Sequence, residues 1–208
     1  MLIESEYAGN KQIADYLTGI GHPIGVEQAM ALFMGLSGAA FTDAIERWLG
    51  RPLGSDFYVA RAQEDARVLR DGVDAVAGAI AFVQDLPPDL PIAIASSSSP
   101  EWIGTHLAHL GLRERFEPHL YSGKVDVACG KPAPDIYLHA AAALGVVIDR
   151  VAIIEDSPVG ITGAVASGAF VIGLAAGSHC FEGHSERLAA LGAHAVAHSF
   201  DEVNLIIR

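Results

Sequence analysis

The sequence predicts an α/β protein: an open, doubly wound parallel sheet with helices on both faces, carrying an all-helical insert ahead of it. Three observations carry this. From residue 71 onward, short apolar runs alternate with helical stretches, the pattern of β-α units. From 6 to 70, apolar residues recur only at helical spacing, with no strand signal between them. One apolar run, Val151 to Ile154, leads straight into Glu155 and Asp156, which puts two carboxylates at the carboxyl end of a buried strand, where open α/β sheets bind their ligands.

The elements follow in order. Ile13, Tyr16, Leu17 and Ile20 share one helical face, and Gly21-His22-Pro23 ends that helix. Gly25 precedes a second helix containing Ala29, Leu32 and Phe33. A third covers about Gly38 to Leu49, and a fourth about Asp56 to Leu69 with Ser55 as its N-cap. Asp71-Gly72 then marks a return hinge, since glycine tolerates the dihedral changes of a moving lid. A helix is expected over Val73 to Asp85, broken by Leu86-Pro87-Pro88, then a strand at Ile92 to Ala95 and a helix after Pro100. A short strand near His119 to Ser122, a helix from Pro134 to Leu144 and the strand Val151 to Ile154 come next. A helix at Val159 to Ser167, the strand Phe170 to Leu174 and a short strand near Ala195 complete the pattern. The expected division is 1–5 with 71–208 as the α/β core, and 6–70 as the helical insert.

With 208 residues, 51% of them hydrophobic, the chain is long and apolar enough for a sizeable core. A formal net charge of -12 argues against nucleic acid or an anionic membrane as partner, both of which need a basic surface. It leaves small phosphorylated metabolites open, because a small site can be locally positive. Cys129 and Cys180 stand in no metal or redox spacing, which points to a reduced, cytoplasmic setting. No apolar run is long enough to suggest a signal peptide or membrane span.

Three segments place polar groups at strand ends. In IAIASSSSP, the Ser96 hydroxyl and the N–H groups of Ser97 and Ser98 can hold phosphate oxygens ahead of the helix at Pro100; the same serines could be no more than a capped turn. In GKPAPDIY, Lys131 stands on a proline-stiffened loop where an ammonium can neutralise phosphate and nearby carboxylates, although alone it would pass for a solvated lysine. Glu155 and Asp156 are costly at a buried strand end unless a positive group sits there; a hard divalent cation such as Mg²⁺ takes oxygen ligands and is the expected partner. As a helix N-terminal acid cluster, the pair would explain Asp156 but not Glu155.

Taken together, Ser96, Lys131 and Glu155-Asp156, in this order and in the runs GKPAPDIY and EDSPVGITGAVASGAFVIGL, resemble the haloacid dehalogenase superfamily of phosphohydrolases across nearly the whole chain. The resemblance implies a Rossmann-like core with a four-helix cap at 6–70. It implies Mg²⁺-dependent hydrolysis of a small phosphomonoester, with Ser96 and Lys131 holding the phosphoryl group, Asp156 binding Mg²⁺ and Glu155 binding it directly or through water. It also places the cap loop Gly35-Leu36-Ser37-Gly38 toward the core, and Glu4, Ser5 and Glu6 after the nucleophile loop, where Glu4 could touch metal-bound waters or be plain linker. β-Phosphoglucomutases resemble this layout but carry an arginine where this chain has Gly38. A mutase grips a second phosphate, so phosphatase is favoured, with Arg47 and Arg51 as weaker substitutes. Dehalogenases usually lack the EDSP form.

The superfamily's first motif, an apolar strand ending in DxDG that supplies the nucleophile and the general acid/base, occurs nowhere in the sequence. The match places it just upstream of Met1, and a start assigned at a GTG codon would remove it. The expected consequences are a missing central strand between 92–95 and 151–154 and no aspartyl-phosphate chemistry in the chain as given. The competing expectation is a non-catalytic phospholigand-binding protein. Finally, His179, Cys180 and His184 in GSHCFEGH offer metal-ligand chemistry, but a structural zinc site normally needs four ligands with paired spacing, so zinc is not expected.

Overall fold

A computed structural model describes residues 1–34, 36 and 38–208. The chain divides into two compact units, Glu4–Asp74 and Met1–Ile3 with Ala75–Arg208.

The first unit is helical: α1 (Ser5–Gly19), α2 (Val26–Phe33), α3 (Gly38–Leu49) and α4 (Ser55–Asp71). Its core gathers Ile13, Leu17, Phe33, Ile45 and Phe57 among partly buried neighbours that include Trp48. Ile13, Leu17, Ala29 and Phe33 are among the expected periodic positions, and burying them is what makes short helices stable, whereas Leu32, expected on the same face, is 42% exposed. Ser55 is not the cap of α4. Gly54 takes that position in extended conformation, and Ser55 is the first helical residue.

The second unit holds α5 (Ala79–Asp85), β1 (Ile94–Ser96), α6 (Pro100–His109), α7 (Arg113–Phe116), β2 (Leu120–Ser122), α8 (Asp135–Leu144), β3 (Ala152–Glu155), α9 (Pro158–Ser167), β4 (Phe170–Leu174), α10 (His184–Ala190), β5 (Ala195–Ala197) and α11 (Phe200–Ile206). The helix expected from Val73 begins only at Ala79. Gly72, at φ 82°, ends α4, and the following residues stay extended because Ala75 bridges Ile3 and the Val76 N–H donates to the Leu2 carbonyl at 3.0 Å. The short helices α7, α10 and α11 carry too few residues for a periodic signal and went unpredicted.

All ladders are parallel. β1 pairs with β2, and separately β3, β4 and β5 pair in that order. No hydrogen-bonded ladder joins β1 to β3 among the described residues. The two sheets nevertheless feed the same two cores. Ile94, Leu120, Ile154 and Ile172 belong to one cluster with helix residues such as Phe82, Leu107 and Phe200. Ala95, Tyr121, Ile153 and Val171 belong to the other, with Ile136, Ile161 and Leu188. Alternate residues of β1 to β4 thus face opposite helical layers, as the period of two along a strand requires. Leu2, 8% exposed, packs into the first cluster.

Candidate active site

The site is built at the ends of β1 and β3 and on the loop before α8. At the end of β3, Ser157 caps α9 by accepting the Gly160 N–H on Oγ at 3.0 Å, and Pro158 fills the first helical position. This turn leaves the Glu155 side chain buried beneath the helix. Glu155 Oε1 accepts from the Lys131 ammonium and from the Tyr137 hydroxyl at 3.0 Å. Its Oε2 accepts from the N–H of Asp156 at 2.8 Å and of Ser157 at 3.2 Å, and from the Ser157 hydroxyl at 3.3 Å. A carboxylate offers roughly four lone-pair positions, so Glu155 is saturated by protein donors. Its cost of burial is met by Lys131, whose side chain is 10% exposed and whose Nζ also lies 5.0 Å from the centroid of the Tyr137 ring. Burial first, then the charge of Glu155, pushes the Tyr137 hydroxyl well above its ordinary pKa, so it remains a donor.

Two glycines make room for this arrangement. A Cβ on Gly160 would stand 2.1 Å from Glu155 Oε1, and a Cβ on Gly163, one turn on, would stand 2.9 Å from the carbonyl oxygens of Pro132 and Ala133. The bare face of α9 therefore seats both the buried acid and the backbone of the lysine loop. Tyr137, Gly160 and Gly163 lie inside the quoted runs, yet nothing in the linear pattern assigns them these contacts.

Asp156 is placed differently. Its side chain is also buried, and Oδ2 lies 2.7 Å from the Met1 α-amino group and 3.5 Å from His179 Nε2. Its carbonyl oxygen accepts the His184 Nε2–H at 2.8 Å. Burial pushes the Asp156 carboxyl up, but the Met1 ammonium and His179 outweigh it and hold the pKa at about 2, so the group is ionised at neutral pH. Magnesium commonly takes one or two protein carboxylates and completes its shell with water and phosphate oxygens. A buried, ionised carboxylate that already draws positive groups fits that requirement. Glu155, with its lone pairs spent on protein donors, would leave the holding of such an ion to Asp156.

On the other sheet, β1 ends at Ser96. Its Oγ accepts the Ser98 N–H at 3.1 Å, which leaves the hydroxyl proton to donate elsewhere. Ser98 itself is tied down by its carbonyl, which accepts the Ser122 hydroxyl at 2.6 Å, and Ser99 caps α6. The Ser98 N–H is thus engaged within the loop, while Ser97 is exposed. The Gly123 N–H donates to the Ser96 carbonyl at 2.7 Å, and a Cβ on Gly123 would lie 3.7 Å from the Gly130 Cα, so the loop after β2 meets both the end of β1 and the residue before Lys131.

Arg47 and Arg51 are exposed in the helical unit, and Arg47 Nε donates to the Asp43 carbonyl one turn back in α3. The Glu4 N–H donates to the Asp74 carbonyl at 2.9 Å, so Glu4 is anchored where the helical segment begins and ends. Gly35 and Ser37 lie outside the described residues.

A parallel α/β unit with a serine and an acid pair at strand ends and a lysine on the loop before α8 has the features of the class that the sequence resembles. The sequence model of haloacid dehalogenase-like hydrolases matches residues 5–168, and this chain belongs to that family. The chain is 34% identical over 169 residues to a Bacillus subtilis (strain 168) protein named "Putative phosphatase YhcW", covering 77% of this chain and 74% of that one. It is 33% identical over 103 residues to hexitol phosphatase A of Escherichia coli (strain K12), covering 49% of this chain and 46% of that one. Among solved structures, a haloacid dehalogenase-like protein from Agrobacterium tumefaciens C58 superposes with a TM-score of 0.89 at 33% identity, covering 99% of this chain and 92% of that one. A HAD family hydrolase from Deinococcus radiodurans R1, solved with bound phosphate and sodium, gives a TM-score of 0.85 at 28% identity, covering 99% of this chain and 90% of that one.

Proposed function

We propose that the site serves Mg²⁺-dependent hydrolysis of a small phosphorylated metabolite, in a cytoplasmic setting. The observation that carries this is the buried pairing of Lys131 with the saturated Glu155 at the end of β3, with the buried carboxylate of Asp156 next in the chain. Glu155 fixes Lys131 so that its remaining ammonium protons can be offered to a phosphoryl oxygen, and Ser96 offers its hydroxyl proton from the end of β1. Asp156 would hold Mg²⁺, which when bound neutralises phosphate charge. The relatives named as phosphatases, and the neighbour solved with bound phosphate, support this assignment. By the same resemblance, residues 6–70 would act as the cap that selects the substrate.

The nucleophile is the part these 208 residues do not supply, since they contain no DxDG. In-line attack on phosphorus needs an aligned carboxylate, and Glu155 is spent on protein donors. The test compares this chain with one preceded by an apolar strand ending in DxDG, by phosphate release from a panel of small phosphomonoesters with and without Mg²⁺. Turnover is expected only from the extended chain and only with Mg²⁺, with kcat/KM lowered at least ~100-fold by Lys131→Ala. Phosphate binding without turnover in both would replace hydrolysis with a non-catalytic phospholigand role.

A further inference from the structure

The segment after β4 brings together three residues whose sequence spacing had argued against a metal. One ring nitrogen each of His179 and His184, and the Cys180 Sγ, lie within 4.8 Å of one another. His179 is 3% and His184 8% exposed, and their rings meet edge-on with centroids 5.6 Å apart. The bond from His184 Nε2 to the Asp156 carbonyl fixes the tautomer, because a carbonyl oxygen can only accept. That bond makes Nε2 the N–H and leaves the Nδ1 lone pair for a ligand. A metal-binding histidine characteristically gives its second N–H to such a carbonyl.

We infer that His179, Cys180 and His184 form a zinc site, separate in chemistry from the oxygen-ligand role of Asp156. Two imidazoles and a thiolate suit zinc and repel a hard cation such as magnesium. A tetrahedral ion, with bonds of ~2.0 Å to nitrogen and ~2.3 Å to sulfur, spaces its donors roughly 3.3–3.6 Å apart, so a contraction of about 1 Å closes the cluster on the ion. Among the described residues the cluster offers three ligands, one fewer than a closed structural zinc centre uses. On binding, the Cys180 thiol gives its proton to solvent and its sulfur lone pair to zinc. Through His184, zinc occupancy would also hold the backbone of Asp156. The inference does not depend on the phosphatase assignment.

The test uses the untagged chain, with zinc alone as probe, dialysed to equilibrium in saturating magnesium. One zinc per chain is expected, and cobalt in its place should show a thiolate-to-cobalt charge-transfer band with tetrahedral d–d absorption. Cys180→Ser should remove the band and the stoichiometric binding, whereas Cys129→Ser, at an exposed cysteine, should leave both intact. Zinc should also shield Cys180, and not Cys129, from iodoacetamide, a measurement on the unaltered chain that does not require a variant to fold. Absence of stoichiometric binding in magnesium, an octahedral cobalt spectrum without the charge-transfer band, or alkylation of Cys180 unaffected by zinc would each overturn the proposal.

Discussion

At the scale of single residues, the two adjacent acids are both buried but take different partners. Glu155 is held by Lys131, Tyr137 and the turn amides, while Asp156 faces the Met1 α-amino group and His179. Both members of the Lys131–Glu155 pair are nearly buried, so removing one leaves a desolvated charge. Lys131→Met is expected to lower stability by about 3 kcal/mol in urea unfolding; a loss under ~1 kcal/mol would show that the tyrosine and amides suffice to hold the carboxylate. Gly160→Ala sets two effects against each other. Alanine favours helix by up to ~1 kcal/mol, but its methyl would strike Glu155 Oε1 at 2.1 Å, and overpacking of this kind costs about 1–3 kcal/mol. Net destabilisation is expected. Gly9→Ala inside α1 meets nothing nearer than Arg61 at 3.9 Å and should stabilise instead. Equal thermal shifts for the two variants would contradict the packing of Glu155 against α9.

At the scale of elements, α6 buries His106 at 3% exposure near its carboxyl end, with its ring 4.5 Å from Trp102. A helix carboxyl end ordinarily welcomes a cation. Here burial, and then the nearby His109, hold the His106 pKa below its ordinary 6.5. The unfolded chain therefore binds the proton more readily than the folded one. Stability on this account is complete above pH 6.5 and is lost as pH falls from that value through the lower folded pKa. His106→Phe should flatten this acid limb in urea midpoints compared at pH 7.5 and about 5.5; an unchanged slope would assign the acid sensitivity elsewhere.

At the scale of the whole molecule, two units carry separate apolar cores. Leu17 is fully buried in the helical one, and Leu17→Ala should cost about 2–5 kcal/mol, seen as faster hydrogen exchange in α1 through α4. Protection unchanged in those helices would mean that their core does not depend on Leu17. Much of this architecture was legible in the chain, because periods of two and 3.6 are local properties: α1 to α4, the strand at Phe170 and the α/β alternation all follow from them. The residues 73 to 78 were misjudged as helix because their conformation is set by pairing with Leu2 and Ile3, more than 70 residues away in sequence. Ser96, Lys131, Glu155 and Asp156 could be picked out as candidate chemistry, but which partners each acid takes could not. By itself, then, the sequence determined the fold class, the family and the chemical types at the site, since these rest on composition, local periodicity and short runs. Only the tertiary structure decided that Glu155 serves Lys131, that Gly160 and Gly163 make way for both, and that His179, Cys180 and His184 converge, because each of these depends on distances between segments that no local pattern encodes.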